Sequence, residues 1–214
     1  ANGMAEPVTP AETLRHADFV WDARHRRVIC VREDHTHGGE PANAIVALDA
    51  ETGGAGRVLV GGRDFYAEPR VSPDGRFLAW MEWGHPYMPW DAAELWVAPI
   101  ASDGSLQRPI RVAGGRGESA LQPLWSPDGV LHFVSDRDNW WSLRRYVGGR
   151  VEALTALEAE FATPPWVFGM KNYAFVSPTR ALCSFTRNGT WTLAILGTDT
   201  RQLTPVDLPF TDIS

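Results

Sequence analysis

Apolar and polar residues alternate along most of this chain in short runs broken by glycine, proline and aspartate. A period of two marks a half-buried strand, and turn-forming residues at the breaks mark hairpins. Few stretches hold a 3.6-residue apolar period, so helix is nearly absent; Thr155 to Phe161 alone reads as a helical turn. The pattern also repeats. Ser72-Pro73-Asp74-Gly75 precedes the apolar run Phe77 to Trp80, and Ser126-Pro127-Asp128-Gly129 precedes Val130 to Val134, 54 residues later. A worn copy, Ser177-Pro178-Thr179-Arg180 before Ala181 to Phe185, follows, and Trp21-Asp22-Ala23-Arg24 before Val28 to Val31 leads.

Each repeat reads as four strands. In the third they are Leu121 to Trp125, Leu131 to Ser135, Trp141 to Val147 and Val151 to Thr155, with Gly148-Gly149 turning the last pair. Proline presets φ and glycine tolerates positive φ, so Pro-Asp-Gly between apolar runs is a strong turn. Third-strand counterparts are Ala44 to Leu48, Glu94 to Ala98 and Trp191 to Leu196, and Trp166 to Gly169 is grouped with the first strands. Tandem four-stranded antiparallel units of this length are the signature of a β-propeller. The fold class is therefore all-β, a propeller segment of about four blades at roughly 17–62, 65–115, 119–156 and 165–205.

The termini read as partial blades. Gly3 to Thr9 aligns with Gly149 to Thr155, so 1–10 is expected to end a preceding blade and 206–214 to begin a following one. Completion of one partial blade by the other ranks second. An open arc exposes two faces that a closed ring buries, so aggregation or a homo-oligomer is expected of the arc by itself.

Composition narrows the partners. Lys plus Arg number 20 against 26 Asp plus Glu, a net charge of −6 with no basic excess for phosphates, which argues against nucleic acid. No apolar run approaches the roughly 18 residues of a spanning helix, so no membrane partner is expected. Cys30 and Cys183 lie inside apolar runs and read as buried thiols, pointing to a reducing, cytoplasmic location. The ten tryptophans fit the bulky faces of stacked blades.

Several stretches resemble the prolyl oligopeptidase family of serine peptidases, in its dipeptidyl aminopeptidase and acylaminoacyl peptidase-like branch. They are Val31 to His35, Ser72-Pro73-Asp74-Gly75-Arg76 through Trp80, His85-Pro86-Tyr87-Met88-Pro89-Trp90-Asp91 with Glu94 to Ala98, Gln122-Pro123 through Gly129, and Phe133 to Arg137 with Trp140-Trp141. The resemblance covers nearly the whole chain but only the propeller part of such proteins. It implies a parent enzyme in which this propeller gates and scaffolds an α/β-hydrolase domain that cleaves short peptides or blocked or unblocked N-terminal residues. That domain, and a peptide substrate, are the implied partners. The chain contains no Gly-x-Ser-x-Gly elbow, and Ser72, Ser126 and Ser177 are turn residues, so no catalytic residue carries over and the chain alone is expected to be inactive.

No cofactor and no metal ion are expected. His35-Thr36-His37 with Glu33, Asp34 and Glu40 reads as a solvated loop, because two histidines two apart do not define a tetrahedral site. Substrate- or domain-facing candidates are His85, Tyr87, Trp90 and Asp91 in the enlarged second-to-third-strand loop of the second unit. Arg137 and Trp140 occupy the same loop of the third unit; Arg137 fits an ion pair, or a substrate carboxylate. Glu160, before Phe161 to Trp166, could pair with an α-amino group, though solvated surface is the better reading. All of these connections leave an antiparallel blade on one face, opposite the Ser-Pro-Asp-Gly turns. A stand-alone propeller that binds a partner is the alternative. A propeller enzyme with its own channel site would need clustered acids on first strands, and Leu121 to Trp125 and Trp166 to Gly169 show none.

Overall fold

The Ser-Pro-Asp-Gly segments fold as hairpin turns because each serine closes its own turn. Ser72 Oγ donates to Asp74 Oδ1 at 2.6 Å and accepts from the Phe77 amide at 2.9 Å. Ser126 repeats this with Asp128 and with the Val130 amide. The glycine that ends each turn has positive φ, 67° at Gly75 and 86° at Gly129.

The structure, a computed structural model, describes residues 7–9 and 13–213. Blade one is β1 (Leu14–Asp22), β2 (Arg27–Asp34), β3 (Ala42–Asp49) and β4 (Gly53–Gly61). Blade two is β5 (Phe65–Val71), β6 (Phe77–Trp83), β7 (Glu94–Pro99) and β8 (Ile110–Gly114), with α1 (Pro89–Ala92) between β6 and β7. Blade three is β9 (Ala120–Trp125), β10 (Leu131–Ser135), β11 (Ser142–Val147) and β12 (Arg150–Ala153). Blade four is β13 (Tyr173–Ser177), β14 (Arg180–Arg187), β15 (Thr190–Gly197) and β16 (Leu203–Pro205). Each is an antiparallel meander in sequence order, and the four form an open arc.

The core lies between blades. Ile29 and Ile45 of blade one pack on Leu78 and Trp80 of blade two. Leu95 and Val97 meet Leu131 and Phe133 of blade three, and Leu121 and Val134 meet Tyr173 and Phe185 of blade four. Polar bolts lie across the same seams. On the turn side, buried Asp22 accepts from Arg27 Nε at 2.8 Å, and Arg27 Nη1 donates to the Gly104 carbonyl of blade two at 2.7 Å. Trp125 Nε1 donates to the Arg70 carbonyl, and Arg145 Nη1 to the Thr198 carbonyl. The faces without a blade beside them stay apolar and open: Phe19 and Trp21 on blade one and Val176 on blade four are each more than half exposed. A hollow of about 520 Å³ on blade four's free face is lined by Leu182, Trp191, Leu193 and Ile213 among others.

Two local expectations fail for physical reasons. Thr155 to Phe161 is not helical, because its backbone is committed elsewhere: Glu160 bridges Thr186, and the Phe161 amide donates to the Trp141 carbonyl. Among the described residues the one helical turn is α1, where Pro89 opens the turn and Asp91 Oδ2 accepts from the Met88 amide at 2.9 Å. Trp166 to Gly169 is not a strand, and blade four's first strand is β13. Residues 206–213 run beside β15, with Val206 N donating to the Leu193 carbonyl and Trp191 N to the Thr211 carbonyl. Most of segment 1–10 lies outside the described residues; within it, the Val8 carbonyl accepts from Gly54 N.

Candidate functional site

The first strands line the middle of the arc, and three of them break at one equivalent position. Asp18, Glu68 and Gln122 have φ of 53°, 54° and 55°, a left-handed conformation unusual for residues with a side chain. Each sits in a register shift of its strand, and Pro69 and Pro123 follow two of them, as prolines within sheets favour edges and bulges. The strain, of order 1 kcal/mol per residue, buys side-chain bonds to neighbouring blades. Asp18 Oδ2 accepts from the Glu68 amide at 2.5 Å and Oδ1 from Arg70 Nη1 at 3.2 Å. Gln122 Oε1 accepts from the Asn172 amide at 2.8 Å, and its Nε2 donates to Asn172 Oδ1 at 2.9 Å.

Glu68 departs from this plan. Its Oε2 reaches past blade three to pair with Lys171, just before β13, with Arg70 Nη2 at 3.7 Å. Burial pushes the Glu68 carboxyl up, against the pull of Lys171 and Arg70, and burial likewise pushes the Lys171 ammonium down, against Glu68. Asp18, Glu68, Arg70 and Lys171 thus form a sunken network of two carboxylates and two cations.

Above this network opens a cleft of about 410 Å³. Met88, Trp90, Trp166 and Phe168 form its wall, with the buried Glu68 and Gln122 at its base. Trp90 is positioned by α1, which is tied to blade three: Ser119 Oγ donates to the Pro89 carbonyl at 2.7 Å, and Ala120 N to the Ala93 carbonyl at 3.0 Å. Trp166 meets Trp90 with ring centroids 4.5 Å apart, yet is 71% exposed. Its connection is anchored at one end by Phe161 and at the other by Lys171 and Asn172, with Gly169 at φ 84° between.

The seven candidate residues from the sequence separate here. Trp90 lines the cleft. His85 and Asp91 hold its loop: the His85 ring meets Phe65 edge-on at 4.9 Å, its amide donates to Asp64, and Asp91 accepts from Met88. Tyr87 is exposed on that loop. Arg137 and Trp140 are exposed over blade three, with Arg137 Nε 3.8 Å from Glu118 Oε2. Glu160 Oε2 accepts from the Trp141 amide at 2.9 Å. Sequence reasoning missed Glu68, Gln122, Lys171, Trp166 and Phe168. One signal was available: Asp18, Glu68, Gln122 and Asn172 recur at spacings of 50, 54 and 50, in step with the turns.

Among solved structures, the chain is similar to a puromycin-hydrolyzing peptidase of Mycobacterium tuberculosis, at 37% identity and a TM-score of 0.83 over 93% of this chain and 32% of that one. It is similar to a puromycin hydrolase at 32% identity and a TM-score of 0.88, over 97% of this chain and 33% of the other. Prolyl oligopeptidase B from Galerina marginata shares the fold, with a TM-score of 0.72 at 12% identity over 94% of this chain and 29% of that one. The chain spans about a third of the length of these proteins. No protein-family model and no curated protein matches it.

Proposed function

We propose that this chain is the propeller portion of a prolyl oligopeptidase-family serine peptidase, in which it gates and scaffolds the catalytic domain. The observation that carries this is the 37% identity to a puromycin-hydrolyzing peptidase across 93% of the chain but 32% of that protein. The remaining part of the parent supplies an α/β-hydrolase domain with the serine nucleophile. The propeller contributes the face on which the cleft opens. Tyr87, Met88, Trp140 and Trp166 are exposed there, more large apolar surface than single scattered side chains would give. The substrates in this reading are short peptides and aminoacyl amides, puromycin among them. Cys30 and Cys183 are free and buried, and burial pushes each thiol up to about 12, which suits a reducing, cytoplasmic compartment. No helix among the described residues is long and apolar enough to cross a membrane.

The test is Trp90→Ala combined with Arg137→Ala in the intact protein that carries this chain. Loss of this much of a domain-facing surface is expected to lower kcat/KM for puromycin about tenfold, or to speed proteolysis between the domains by a similar factor. Unchanged kinetics together with unchanged proteolysis would remove the face from the account.

A further inference from the structure

The cleft is small, walled by aromatic rings and closed at its base by buried polar groups. Its volume of about 410 Å³ is that of a small-ligand pocket rather than a protein-docking groove. The walls are indoles and a phenyl ring with Met81 and Met88, surfaces that favour a flat, polarisable guest through offset ring contacts and sulfur–ring contacts. Glu68 at the base is 5% exposed, and one of its two oxygens has no hydrogen-bond partner among the described residues. That oxygen can accept a hydrogen bond. A cation gains little there, because Lys171 and Arg70 already balance Asp18 and Glu68.

We propose that this cleft is a subsite for a neutral aromatic group bearing a hydrogen-bond donor, a phenol or an indole, packed against the Trp90–Trp166 pair with its donor directed to Glu68. Trp166 supplies the movable wall. Its connection carries a positive-φ glycine, and from 163 to 170 its only backbone hydrogen bond among the described residues, apart from strand pairing, is the local one from Trp166 N to the Pro164 carbonyl. The ring can therefore adjust to the guest that packs on it. That the guest is part of a peptide rests on the peptidase reading above; the preference of the cleft does not, so a binding test separates the two.

Ligand-observed NMR titrations of the intact protein that carries this chain, its serine nucleophile blocked, with N-acetyl-L-tyrosinamide, N-acetyl-L-phenylalaninamide, N-acetyl-L-leucinamide and N-acetyl-L-lysinamide provide that test. Tyrosinamide is expected to bind at least about fivefold more tightly than leucinamide or lysinamide, and Trp166→Ala to weaken it by a similar factor. Glu68→Leu, which removes the acceptor, is expected to bring tyrosinamide and phenylalaninamide to nearly equal affinity, a change that a merely structural Glu68 would not produce. Trp166 is exposed, so its replacement leaves the blades intact even if Glu68→Leu does not fold. Absence of saturable tyrosinamide binding, leucinamide or lysinamide binding as tightly, or an unchanged affinity in Trp166→Ala would each overturn the proposal.

Discussion

Gly114→Ala is expected to destabilise the chain by about 3 kcal/mol or more, a fall of roughly 10 °C in melting temperature for a chain of this size. Gly114 ends β8 at φ 85°, and a Cβ there would lie 2.0 Å from the Ala93 carbonyl oxygen and 2.8 Å from Glu94 Cα. Both neighbours are backbone, so no side chain can swing aside. The strain would reach the site, since Ala93 follows α1 and its carbonyl receives the Ala120 amide of blade three. Gly148→Ala is the control: its φ is 56°, with nothing within 4 Å of the added Cβ, so about 1 kcal/mol is expected. Thermal melts of the two variants side by side give the comparison, and equal losses would contradict the contact at Ala93.

The second large effect is a loss of stability in mild acid that originates at one histidine. His132 lies in the seam between blades three and four, 3% exposed, with Nδ1 donating to the Val130 carbonyl at 3.0 Å and its ring edge-on to Phe175 at 4.8 Å. Nε2 is buried without a partner among the described residues. Burial pushes this imidazole down to about 4, the Val130 bond opposes that, and nearby Arg145 adds to it. The unfolded chain takes up the proton near the ordinary value, 6.5. Between those two values the unfolded state binds more protons, so stability is fully present above the unfolded value and drains away as pH falls towards the folded one. The loss from about pH 7.5 to about pH 4.5 is expected to be roughly 2.5 kcal/mol. Denaturant titrations of the native chain and of His132→Leu across this range isolate it: the variant should lose that much less. A variant with the same pH slope as the native chain would place the proton uptake elsewhere.

The blades were legible because their signals are local. A period-two run, a Pro-Asp-Gly turn and a second run predict Leu131 to Ser135 and its neighbours without knowledge of the rest of the chain. The connection between blades three and four was less legible. Trp166 to Gly169 has strand-like composition, but Gly169 and the two prolines before Trp166 break it, and its position is set by partners about fifty or more residues away in sequence, Glu68 and Gln122. The helical turn was misplaced for the same kind of reason. Apolar spacing favours Thr155 to Phe161, while pairing to Thr186 and Trp141 decides its conformation. Aromatic loop residues drew attention to this face, and of them Trp90 lines the cleft. The polar base stayed hidden because a lone glutamate in a strand carries no motif; only its recurrence in step with Asp18 and Gln122 marks it.

The central claim is that this chain is the non-catalytic propeller of a serine peptidase. Labelling the intact protein with a fluorophosphonate and mapping the modified peptide tests it most directly. The account predicts one labelled serine outside residues 1–214, with label and puromycin hydrolysis lost together when that serine is replaced. Label on Ser72, Ser126, Ser177 or any other serine within the chain, or no label at all in an active preparation, would contradict it.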